Sequence, residues 1–178
     1  MQISKFGTAR TQGLRSRNGT GESDSAGMLA NPKLQKMRLS SGIDLAFQTA
    51  GDSNKTAVVL LHGLPNSSRN FRDVIEPLSR SAFVVAPDLP GFGDSDVLPK
   101  ATFAGFADCI EELLARLNVK ERFIYLHDFG SPVGLQLAMR APHLVRGLII
   151  QNANAHESGH GPAMGSHEGI LVRAECQE

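Results

Sequence analysis

Four short runs of apolar, β-prone residues punctuate the middle of this chain, at 56–61, 82–86, 122–126 and 147–150. Each of the first three opens into a glycine-bearing turn and then a helical pattern. Short, continuously apolar strands alternating with helices predict a parallel sheet joined by right-handed crossovers, with helices on its faces. The first helical pattern carries Phe71, Val74, Ile75 and Leu78 at helical spacing, with Ser67 or Ser68 able to cap it. The second carries Phe103, Phe106, Ile110, Leu113, Leu114 and Leu117, capped by Thr102. A third begins at Gly130 and Pro132, carries Val133, Leu135, Leu137 and Ala138, and ends near Ala141 and Pro142. Upstream, Met37, Leu39, Ile43, Leu45 and Phe47 alternate with polar residues around Ser40-Ser41-Gly42, which reads as a two-strand hairpin.

The turn at Tyr125-Leu126-His127-Asp128-Phe129-Gly130-Ser131 is the sharpest, because a strand there must become a helix within two or three residues. A side chain on such a turn stands proud of the sheet beside the free amides of the next helix, which can stabilise negative charge. Asp128 therefore reads as a nucleophile, although Asp before a helix is also a common N-cap. The run 56–61 leads into His62-Gly63-Leu64-Pro65, and 82–86 into Pro87-Asp88-Leu89-Pro90-Gly91-Phe92-Gly93-Asp94-Ser95-Asp96.

In this order and spacing, the three motifs resemble the α/β-hydrolase superfamily. They are most similar to the branch with an aspartate nucleophile, which includes epoxide hydrolases and haloalkane dehalogenases. The resemblance covers residues 39–154. It implies an α/β fold with a mostly parallel sheet, flanking helices and no cofactor. It also implies an Asp128 carboxylate that attacks a small, largely apolar electrophile (epoxide, alkyl halide or ester) to give an alkyl-enzyme ester, which water then hydrolyses. The backbone amides of Leu64 and Phe129 are implied to form the oxyanion hole, with His62, Gly63 and Pro65 supporting the loop. His127 alternates away from Asp128 and is expected to pack beneath it, and Tyr125 reads as a core residue.

Dehalogenases of this branch commonly place a tryptophan after the nucleophile and a second side-chain N–H donor in the HGxP loop. Phe129 and Leu64 occupy those positions here, and neither side chain can donate. The HGLP form fits epoxide hydrolases better, but these depend on cap tyrosines, and Tyr125 is the only tyrosine of the chain. A full-length member continues into a cap domain, further strands, an acidic residue and a catalytic histidine. The pattern of this chain fails near Ala155, so the resemblance reaches only the N-terminal part, before the cap and the final strands. The alternative reading is a non-catalytic fragment or partner-binding half-fold without that histidine, self-associating through an uncovered sheet edge.

The domain reading is a leader over 1–32, the N-terminal part of a hydrolase domain over 33–154, and an irregular tail over 155–178. The leader carries Lys5, Arg10, Arg15 and Arg17 and no acid before Glu22; it reads as disordered, with an organelle transit peptide as the alternative to a cytoplasmic protein. His156 and His160 have the i, i+4 spacing of a metal pair, but Gly159, Gly161 and Pro162 argue against the helix such a pair needs, so no metal site is expected. Eighteen basic and 18 acidic residues give zero formal charge, which leaves no field to hold nucleic acid. No run reaches the roughly 20 apolar residues of a membrane span, so a soluble protein is expected, and the resemblance implies a small-molecule substrate. Cys109 and Cys176 read as packed or bystander thiols.

Overall fold

The computed structural model describes residues 32–154. Strands β1 (Lys33–Arg38) and β2 (Asp44–Ala50) form the expected hairpin, with Met37 opposite Leu45. Its turn is closed by hydrogen bonds between Leu39 and Ile43 and from the Gly42 amide to the Leu39 carbonyl. Then follow β3 (Ala57–Leu61), α1 (Arg72–Ser79), β4 (Phe83–Pro87), α2 (Phe103–Arg116), β5 (Arg122–Asp128), α3 (Gly130–Arg140) and β6 (Val145–Ala153). The strands make one sheet in the order β1-β2-β4-β3-β5-β6. The hairpin side is antiparallel, and β4, β3, β5 and β6 run parallel.

Every residue of β3 and β4 is buried, which is why both strands read as unbroken apolar runs. Their side chains alternate between two layers. Val59, Leu61 and Val85, with Ile124 and Leu126 of β5, meet Ile110, Leu113 and Leu114 of α2 and Val133 and Leu137 of α3. Val58, Leu60, Val84 and Ala86 meet Phe71 and Ile75 on the other face. Each fully buried Leu or Ile contributes about 1.5–3 kcal/mol, so the first, larger layer anchors the sheet. Thr102 caps α2 as expected, its hydroxyl accepting from the Gly105 amide at 3.0 Å. Cys109 is buried in α2, and burial pushes its thiol up.

Three expectations are adjusted. The first helical pattern opens as a 3-10 turn over Ser68–Phe71, capped by Ser67. Within this segment Phe71 and Ile75 are buried, whereas Val74 stays 48% exposed. Strand β5 continues through His127 and Asp128, two residues beyond the apolar run, because β6 pairs with it to the end, across a register shift between those two residues. Strand β6 likewise extends on both sides of 147–150, and its polar end Gln151-Asn152-Ala153 is held by pairing rather than by burial. Residues 1–31 of the leader read over 1–32, the tail over 155–178, the His156 and His160 pair and Cys176 lie outside the described residues.

Candidate active site

Strands β4, β3 and β5 are neighbours and parallel, so the turns that follow them emerge side by side. The carboxyl ends of parallel strands are where open α/β sheets bind their ligands. Asp128 closes β5 with φ +44°, in the left-handed region that non-glycine residues seldom adopt. Its carboxylate does not cap α3: Phe129 holds the N-cap position, and no side chain bonds the first turn. Instead, Asp128 Oδ2 accepts from the Leu64 amide at 2.8 Å. The cap reading of Asp128 therefore gives way to a bond made across two strands.

Two glycines allow that approach. A Cβ on Gly63 would lie 2.5 Å from Asp128 Oδ2 and 2.6 Å from Asp128 Cβ. One on Gly130 would lie 2.7 Å from the His62 carbonyl oxygen. The HGLP turn and the elbow at Asp128 thus touch backbone to backbone. Phe129 sends its ring into an aromatic group with Phe92, Phe103 and Phe106, at centroid distances of 5.8, 4.9 and 6.1 Å. Its backbone amide belongs to the first turn of α3, where N–H groups have no intrahelical acceptor.

His62 is buried, with both ring nitrogens engaged: Nδ1 lies 3.0 Å from the Gly63 carbonyl oxygen, and Nε2 lies 2.9 Å from the Leu89 amide. Burial holds its pKa below the usual histidine value, against the opposing pull of the Gly63 bond and of Asp88. His127 sits half-buried beside the elbow, with Nδ1 3.0 Å from the Gln151 carbonyl of β6. Tyr125 is only partly buried, and its hydroxyl bonds the Gln151 side chain.

One organising residue escaped the motif reading. Asp88, 1% exposed, follows β4 and accepts from two backbone amides, Ser68 at 2.7 Å and Asp94 at 2.9 Å. Its carbonyl accepts from Ser95 Oγ at 2.7 Å, and that hydroxyl accepts in turn from the Ala46 amide at 2.8 Å. Gly93, at φ +54°, leaves room for the carboxylate, because a Cβ there would come within 2.2 Å of Asp88 Oδ2. The signal in the sequence was an Asp at a strand end before a Pro-Gly turn, a residue able to bond nearby amides.

Cavities of about 330 and about 570 Å³ lie away from this site. The first adjoins Lys55, Phe83 and Glu121 and the second Ser41, Leu98 and Cys109, and neither is lined by Asp128. Among the described residues, no group of three or more His, Cys, Asp or Glu side chains is placed to hold a metal ion. No described helix is long and apolar enough to cross a membrane.

Residues 56–165, more than half of the chain, match a known family, the alpha/beta hydrolase fold. The chain belongs to that family. It is 36% identical over 129 residues to an uncharacterized hydrolase of Saccharomyces cerevisiae, a match covering 71% of this chain and 44% of the yeast protein. Among solved structures it is similar to a loop variant of a haloalkane dehalogenase from Bradyrhizobium elkanii, with TM-score 0.66 and 29% identity over 71% of this chain and 42% of the other. It is also similar to the epoxide hydrolase CorEH, with TM-score 0.62 and 32% identity over 67% of this chain and 41% of the other. The chain spans less than half the length of these relatives. The α/β-hydrolase fold and the kinship with dehalogenases and epoxide hydrolases, both expected from the motifs, therefore hold for the N-terminal part of such enzymes.

Proposed function

We propose that this chain carries the nucleophile of a hydrolase acting on a small, largely apolar electrophile, namely an epoxide, alkyl halide or ester, with Asp128 as the attacking group. The observation that carries this reading is the Asp128 carboxylate, set at φ +44° at the end of a parallel strand and held through one oxygen by the Leu64 amide. Fixing Oδ2 leaves Oδ1 as the atom for attack. A carboxylate is ionised near neutral pH and needs no base to become a nucleophile. In the first step an Oδ1–carbon bond forms as the carbon–halogen or alkyl carbon–oxygen bond breaks; halide departs, the epoxide oxygen takes a proton from water, or the substrate ester's carboxylate departs. The resulting ester carbonyl would build up negative charge when water attacks, and the amides of Leu64 and Phe129 are the donors suited to receive it. His62, Gly63 and Pro65 support this loop.

Activation of that water requires a general base. His62 is ill suited to the task, with both nitrogens committed to backbone groups. The first step alone is therefore the one to test on this chain. Incubation of the full chain with an activated alkyl halide and, separately, an activated epoxide should give one adduct per chain by intact mass, mapping to Asp128 and absent in Asp128→Asn. Which probe labels faster identifies the preferred leaving group. Equal labelling of Asp128→Asn, or an adduct mapped elsewhere, would remove Asp128 from this role.

A second reading, self-association through β6, is favoured by one observation. Among the described residues β6 has a single strand neighbour, β5, and it exposes 46% of Ile149 and 66% of Ile150. An apolar strand open along one edge is a template for pairing with another chain.

A further inference from the structure

Among the described strands, the sheet ends in β1 on one side and β6 on the other, and the two edges differ. Strand β1 is six residues long and carries Lys33, Lys36 and Arg38, charges that discourage pairing with another chain. Strand β6 is nine residues long, contains no proline and has one charged side chain, Arg146 near its start, held by Glu121 at 2.9 Å. In its middle, Leu148-Ile149-Ile150, both isoleucines are exposed. Phe123 and Tyr125 of β5, opposite Gly147 and Ile149, extend the apolar surface on one face. The strand is also complementary to itself. When Ile149 faces Ile149 of a second copy in antiparallel register, Leu148 faces Ile150, Val145 faces Ala153 and Arg146 faces Asn152. No other antiparallel register pairs all three middle residues with apolar residues of the strand. Parallel in-register pairing would instead bring the two Arg146 side chains together, and like charges directly opposite destabilise a ladder.

We propose that two copies of this chain pair through β6, antiparallel about a two-fold axis beside Ile149, so that their sheets run on as one. The proposal rests on the reading of β6 as an open edge and names its occupant. A two-fold axis normal to the sheet puts like faces side by side. The Phe123 and Ile149 surface of one copy therefore continues into that of the other, while Leu148 and Ile150 meet on the face that carries α3. Each copy offers one such edge, and the charges of β1 guard the other, so the assembly closes at two copies instead of growing into a filament. The pairing also sets the beginning of β6 in one copy beside its end in the other. Arg146 of the second copy stands opposite Asn152, the neighbour of Ala153, which pairs with Asp128. The interface thus reaches the strand end that carries Asp128.

Cysteine cross-linking of the full chain reads the register, in a Cys176→Ala background, with Cys109 buried in α2. Opposite residues of an antiparallel pair have Cα atoms about 4.5–5.5 Å apart, within the about 4.4–6.8 Å that a disulfide spans. Ile149→Cys should therefore form a covalent dimer under mild oxidation. Ile150→Cys should not, because its two copies are offset by about 7 Å along the strand. Mixed with Leu148→Cys, it should cross-link about tenfold faster or more than either variant alone. Both isoleucines are exposed, so cysteine at either position leaves the core intact. Light scattering of the parent should approach twice the chain mass as concentration rises. Self-cross-linking of Ile150→Cys in place of Ile149→Cys, or assemblies larger than two copies, would overturn the proposal. Association that Ile150→Lys abolishes, without the Ile149→Cys cross-link, would also overturn it while leaving β6 as the associating edge. A parent chain that is monomeric at every concentration would remove both the open-edge reading and the pairing.

Discussion

Replacing Gly63 by alanine tests the closest contact of the site. The added Cβ would sit 2.6 Å from Asp128 Cβ and 2.5 Å from Oδ2, whereas carbon atoms rest at about 3.5–4.0 Å. The two turns must therefore part by about 1 Å, and neither side is the free end of a flexible chain. The Leu64–Asp128 bond starts at 2.8 Å; a parting of that size carries it to about 3.8 Å, past the separation of about 3.6 Å at which no hydrogen bond remains. Overpacking of this kind costs about 1–3 kcal/mol of stability. Displacing a reacting group by about 1 Å can slow its chemistry by about 10²-fold. Single-adduct labelling by an activated alkyl halide, followed by intact mass, should thus slow by about that factor in Gly63→Ala, with a lowered thermal midpoint. Gly134→Ala is the control, because its Cβ would press on Leu126 Cδ2 at 2.2 Å, inside the core. That variant should lose comparable stability and keep most of its labelling rate. Gly63→Ala chains that label at the parent rate would show that the carboxylate is not oriented by this loop.

Glu112 of α2 accepts from the Ser40 amide at 2.9 Å and from the Ser40 hydroxyl at 2.6 Å, and these bonds, with Arg116, hold its pKa below the usual carboxylate range. A depressed carboxylate stabilises the fold above its unfolded pKa and loses that contribution as pH falls through the folded value. Chemical denaturation of the parent should therefore weaken more steeply between about pH 5 and about pH 3 than that of Glu112→Gln; parallel curves would refute the link between the hairpin turn and α2. Ile150→Lys places a charge on the open edge of β6, where charge discourages pairing. Size-exclusion chromatography should show it smaller or less associated than the parent at equal concentration, and an unchanged profile would remove β6 from any self-association.

The central sheet was legible because β3 and β4 are covered on both faces, and total burial writes itself as an apolar run. The limits of β5 and β6 were not. His127 and Asp128 are polar and half-exposed, so local chemistry reads them as turn, while the ladder to Gln151 and Ala153 keeps them in the strand. Val74 was placed on the buried face because helical spacing marks a stripe and not how far its edge is covered, and Val74 is 48% exposed. For the site, motif order identified the elbow and the HGLP turn. It did not distinguish a cap from a cross-strand acceptor at Asp128, since the deciding amide belongs to Leu64, 64 positions away.

The same limit explains Asp88. Within the sequence, Asp88 is one of several polar residues in a turn-rich stretch. In the fold it is buried, where a polar group left without hydrogen bonds is costly, and its two oxygens find the amides of Ser68 and Asp94. Those bonds fix the turn after β4 against the segment after β3. The residue following Asp88 is Leu89, whose amide faces His62. A buried carboxylate thus anchors the backbone donor that faces His62, whose other ring nitrogen lies 3.0 Å from the Gly63 carbonyl oxygen. The Asp128 carboxylate thus sits among backbone hydrogen bonds made by the turns that follow three adjacent parallel strands.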